Sequence, residues 1–74
     1  MHCQRTLKAV APGNSVMVVG VDAGRRACLR LESMGIMPGI LLEVVSNGHG
    51  PMIISTGEGR IMVERGIAEK VLVA

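Results

Sequence analysis

"LRLESMGIMPGI", Leu29–Ile40, is the stretch on which the fold turns. Ala27, Leu31 and Met34 fall at i, i+4 and i+7, so they share one face of a short helix predicted over Arg25–Met34. Gly35 stands where that helix must end, because a left-handed cap favours a residue without Cβ. Pro38 comes three residues later, where it cannot continue a helix, and Pro38-Gly39 makes a turn. An aliphatic run, "ILLEVV" (Ile40–Val45), then starts at once and reads as a strand.

Glycine and proline punctuate the rest. "SVMVVGV" (Ser15–Val21) is a β-branched strand between Pro12-Gly13-Asn14 and Asp22-Ala23-Gly24. Beyond the first helix, a loop with an Asn47-Gly48 turn signal leads to "PMIIST", Pro51–Thr56. Gly57-Glu58-Gly59 is a tight hairpin connection into "RIMVE", where Ile61 and Val63 oppose Arg60, Met62 and Glu64. "RGIAEK" (Arg65–Lys70) reads as a single helical turn, and "VLVA" closes the chain as a fifth strand. Five short strands, tight turns and one helix predict a mainly β fold, a small closed barrel whose closure removes strand edges. The helix would span one gap and set Leu31 and Met34 on the open end of the barrel.

The chain has 74 residues, so the expectation is one domain over 1–74, with 1–5 a frayed N-terminus. Such a chain buries only about 60% of its unfolded surface. Its 49% hydrophobic content excludes disorder, yet Phe, Tyr and Trp are absent, so Val, Ile, Leu and Met must make the core. No run approaches the ~18 to 20 apolar residues of a membrane span, and "MHCQRTLK" lacks a signal's apolar region. No direct membrane insertion is expected, and the cytoplasm is the expected compartment. Cys3 and Cys28 allow at most one disulfide, and reduced thiols are the default there.

Sites of chemistry are scarce. Gly48-His49-Gly50 and Gly57-Glu58-Gly59 complete no phosphate-cradling motif, and neither paired carboxylates nor a triad is present, so no enzyme is expected. His2, Cys3, Cys28 and His49 are the weak metal candidates; their spacing matches no ligand pattern, so no cofactor is expected beyond adventitious zinc or nickel. Arg25, Arg26 and Arg30 cluster on the helix, with Arg30 able to pair Glu32 or Glu64. A net charge of +2 without aromatic rings argues against nucleic acid. Leu29 projects about 200° from Ala27, opposite Leu31 and Met34. Met62 alternates away from Ile61 and Val63, and both faces of the strands at Ser15–Val21 and Ile40–Val45 are largely apolar. This surface suits contact with another protein or with a second copy in a homo-oligomer.

The order of these elements resembles the FeoA family, small cytosolic partners of the bacterial ferrous iron transporter FeoB. The resemblance rests on "LKAVAPG", "RLESMGIMPG", "NGHGPMII" and "GRIMVERGIAEKVLV". It implies an SH3-like barrel, a fold that also forms the C-terminal domain of metal-dependent repressors of the diphtheria toxin repressor type. It further implies docking on FeoB that assembles or gates the transporter. The Arg25–Gly39 helix and turn would be the main recognition element, with Arg25, Arg26, Leu29, Arg30, Met37 and Met62 as contacts and Gly35, Pro38 and Gly39 as the structural turn. Two alternatives are a small metal-sensing domain related to those repressors and a nucleic-acid-binding SH3-like module. Binding of Pro-rich peptides does not carry over, because it needs an aromatic-lined groove.

Overall fold

The computed structural model describes residues 5–74. Strand β1 (Arg5–Thr6) leads through a 3₁₀ turn (Leu7–Ala9) to β2 (Ser15–Val21), helix α1 (Arg25–Ser33) and β3 (Leu41–Ser46). Strands β4 (Met52–Thr56) and β5 (Gly59–Val63), the one-turn helix α2 (Arg65–Ala68) and β6 (Val71–Val73) complete it. The ladder is antiparallel throughout, in the order β1-β6-β2-β3-β4-β5. The fold is the expected mainly β barrel with two differences. Among the described residues there are six strands rather than five, because Arg5 and Thr6 pair with Val73 and Leu72. Arg5 is therefore not part of a frayed end, and residues 1–4 lie outside the described residues. A two-residue strand carries no readable period, so only the partner strand reveals it. Among the described residues the barrel is also not closed by hydrogen bonds: β5 does not pair with β1, and both stand at the ends of the ladder.

Alternation puts the core together. Val16 and Val18 of β2, Leu42 and Val44 of β3, Met52 and Ile54 of β4, Val63 of β5, and Val71 and Val73 of β6 are all buried. Register slips at Val18/Gly20 against β6 and at Val44/Ser46 against β4 insert one extra residue each. Such bulges increase local twist, and they curl the sheet around these side chains. Leu7, which opens the 3₁₀ turn, and Val10, which caps it, are fully buried.

The abrupt end of α1 has a specific cause. Gly35 takes φ +88°, the Ile36 N–H donates to the Leu31 carbonyl at 2.9 Å, and the Gly35 N–H donates to Glu32 at 3.0 Å. This is a Schellman motif, whose usual apolar contact is made here by Leu31 and Ile36, both buried. Each such side chain contributes about 1.5–3 kcal/mol of burial. Gly39, at φ +92°, then turns the chain so that its N–H reaches the Val18 carbonyl at 2.8 Å. The turn thereby enters the ladder beside β2. No helix among the described residues is long and apolar enough to cross a membrane.

Candidate functional site

Helix α1 stands beside the free edge of β5, and a groove of about 330 Å³ separates them. One wall is the ridge Arg26–Arg30–Met34, at i, i+4 and i+8 on α1. Ala27 and Leu31 line it lower down, where Leu31 joins the core. Met62 and Val63 form the facing wall, and Glu64 and Ile67 complete its end. A second groove, about 450 Å³, continues past the C-terminal end of α1. It runs between Glu32, Ser33 and Met37 on one side and Glu58, Arg60 and Ile61 on the other, and Met34 lines both grooves.

The charges break a local rule. Arg25 and Arg26 occupy the first turn of α1, which holds no acidic residue, and the N-cap Gly24 offers no side chain. Cations there oppose the helix dipole by roughly 0.3–1 kcal/mol each. Arg30, within reach of Glu32 and Glu64 by sequence, forms an ion pair with neither. Among the described residues the ion pair is Lys8–Glu69, at 3.7 Å on the surface. Departures from local preference are expected at functional sites, which makes these unpaired charges part of the candidate surface.

The structure gathers three of the six candidate contact residues, Arg26, Arg30 and Met62, into the first groove. Met37 lies in the second, and Arg25 is exposed at the start of α1. Leu29, 54% exposed, projects away from both grooves, while Leu31 on the opposite face is buried. The outer faces of β2 and β3 carry a separate patch: Met17 opposes Leu41, with Val19 further along β2, all three exposed. Met62 is not part of it, because β4 lies between β3 and β5.

Of the four metal candidates, two lie among the described residues, and they join no group of ligands there. The Cys28 thiol is half-buried and donates to the Ala23 carbonyl at 3.4 Å. His49 is exposed in the β3–β4 loop, and His2 and Cys3 lie outside the described residues. Among the described residues no three His, Cys, Asp or Glu side chains group as ligands for a metal.

Sequence reasoning missed one polar cluster. Asn47, read as a turn residue, has a long-range role: its Nδ2 donates to the carbonyls of Lys8 (2.9 Å) and Val10 (2.8 Å). Arg65 Nη1 donates in turn to Asn47 Oδ1 at 2.7 Å and to the Gly48 carbonyl at 2.8 Å. This clamp ties the 3₁₀ turn, the β3–β4 loop and α2 together below the groove-forming elements. No local spacing announces it, since its partners lie far apart in the chain.

Comparison with known proteins bears on what such a surface serves. A Methanocaldococcus jannaschii protein named as a candidate Fe(2+) transport protein A is 48% identical over 61 residues, covering 82% of this chain and 74% of its own length. The crystal structure of an iron uptake regulatory protein, FeoA, superposes with a TM-score of 0.89 at 35% identity, over 96% of each chain. The zinc complex of Stenotrophomonas maltophilia FeoA, described as a prokaryotic SH3 domain protein, gives 0.82 at 24% identity, over 95% of this chain and 89% of its own. A manganese-bound manganese-dependent transcriptional repressor shares the fold alone, at 0.88 and 20% identity, with 37% of its chain matched. The FeoA domain model matches residues 5–74, from the first residue of β1 to the last of the chain. With the motif order, the SH3-like barrel and this match in agreement, the chain belongs to the FeoA family.

Proposed function

We propose that the protein is an accessory of ferrous iron transport that docks on the cytosolic part of the FeoB transporter through the groove between α1 and β5. Family membership supports the transport role, as does the name of the Methanocaldococcus jannaschii relative. The observation that carries the docking reading is the groove itself. It joins an apolar floor at Ala27 and Leu31 to a wall of unpaired arginines and Met34 and to Met62, 66% exposed. Apolar floors supply affinity by releasing water, and rim charges speed and orient the encounter. Methionine side chains adapt their shape to a partner, which suits a surface without aromatic anchors. Docking of this kind assembles or gates the transporter rather than performing chemistry of its own.

The test uses Met62→Glu, which puts a charge into the groove from an exposed position. Its stability should stay within about 0.5 kcal/mol of wild type. Co-purification with full-length FeoB and ferrous uptake in cells should both fall, with the unfolding midpoint unchanged. Normal uptake and normal co-purification would place docking elsewhere, with the Met17–Leu41 patch the next surface to substitute.

A further inference from the structure

Strand β5 ends the ladder, and it presents residues of both its faces to the same cleft. Met62 points outward and Val63 points into the core, yet both line the first groove. Arg60 and Ile61 repeat this in the second. A cleft touched by neighbouring residues of opposite faces runs along the edge of a strand, not over a face. The register defines which main-chain groups are free there. Gly57-Glu58 is a two-residue hairpin loop closed by Thr56 and Gly59, so the narrow, mutually bonded pairs are Thr56–Gly59, Ile54–Ile61 and Met52–Val63. The N–H and C=O groups of Arg60 and Met62 therefore point away from β4, toward α1. Among the described residues no hydrogen bond from outside the ladder meets them.

We propose that the groove is filled by strand addition: an extended segment of the transporter pairs with the free edge of β5 and packs its side chains against α1. This rests on the docking reading above and specifies its mode. Main-chain bonds to Arg60 and Met62 supply register, and alternate side chains of the segment reach Met34. Charge fixes the composition. Arg26 and Arg30 outnumber Glu64 along the first groove, so the segment carries an acidic residue where it passes Met62.

The experiment compares Met62→Ala with Met62→Pro for binding to full-length FeoB in detergent. Both remove the thioether, but only proline removes the outward N–H, at an edge position that tolerates it. Proline should weaken binding by about tenfold or more beyond alanine, through the lost and orphaned hydrogen bond. Amide exchange of wild-type protein supplies an arm that needs no variant. Arg60 and Met62 should exchange freely alone and become protected in the complex, whereas Ile61 is protected in both states. Wild-type binding should weaken with salt, and Arg26→Ala with Arg30→Ala should flatten that dependence. If wild type binds but proline equals alanine, or the two amides stay open in the complex, strand addition is wrong and docking stands. Should the salt dependence survive loss of both arginines, the acidic character of the segment is wrong. If wild-type protein fails to bind the transporter at all, the docking reading falls and strand addition with it.

Discussion

Leu31→Ala separates the two faces of α1 most sharply. Leu31 is 1% exposed, and its carbonyl anchors the Schellman motif that ends the helix. Shortening its side chain to a methyl forfeits about 0.8 kcal/mol per buried carbon, or roughly 2.4 kcal/mol, before any cavity term. The adjoining groove opens one side of the site, so neighbours can collapse into the vacated space or water can enter. The cavity term should then be small, and a total of about 3 kcal/mol falls toward the lower part of the range for buried leucines. A chain of this length has roughly 4–11 kcal/mol in all, so the variant stays foldable yet much weakened. At a urea slope of about 1 kcal/mol/M, the midpoint should drop by about 3 M. Far-UV circular dichroism is the assay, since a chain without Trp, Tyr or Phe offers no aromatic signal. Leu29→Ala, on the exposed face, should move the midpoint by no more than about 0.5 M under the same slope. Equal shifts in the two variants would refute the assignment of faces on α1.

Two further substitutions probe the turn and the clamp. Gly39→Val forces a β-branched residue to φ +92° and should cost about 1–3 kcal/mol by strain alone, since no neighbouring atom would meet the new Cβ; an unmoved urea midpoint would show the position to be unstrained. Asn47→Ala removes two donated hydrogen bonds and one acceptor for Arg65, and should cost about 2 kcal/mol; Asn47→Asp keeps that acceptor but loses both donors, so its unfolding midpoint should be lowered as well, and a wild-type midpoint for either variant would remove the clamp from the account of stability.

What was legible in the sequence was what local physics controls. The cap at Gly35, the turn at Gly39, the alternation of β5 and the burial of Leu31 each follow from a few adjacent residues. Arg5–Thr6 was not legible, because its strand state is conferred by Val71–Val73 at the other end of the chain. The open seam between β1 and β5 was likewise hidden: pairing order is a property of the assembled sheet. Of the candidate surface, the spacing of Arg26, Arg30 and Met34 was visible as a helix pattern. That Met62 faces them required knowing where β5 lies. Leu29 shows the converse, an exposed apolar residue read correctly as outward but standing apart from the groove. Arg65 reads locally as one more charge, and only the folded chain shows it bonded to Asn47.

The Asn47–Arg65 clamp also has a consequence in time. Its bonds span separations of 39, 37, 18 and 17 residues, so the first turn and the last helix must each reach the β3–β4 loop before their own bonds to it can form. Closing loops of this length costs entropy before the bonds repay it, and we expect the clamp to form after the nucleus. Loss of the clamp should therefore leave the refolding rate nearly unchanged and appear almost wholly as faster unfolding. Asn47 would then act as a latch on the native state, setting how long each molecule stays folded rather than how quickly it gets there.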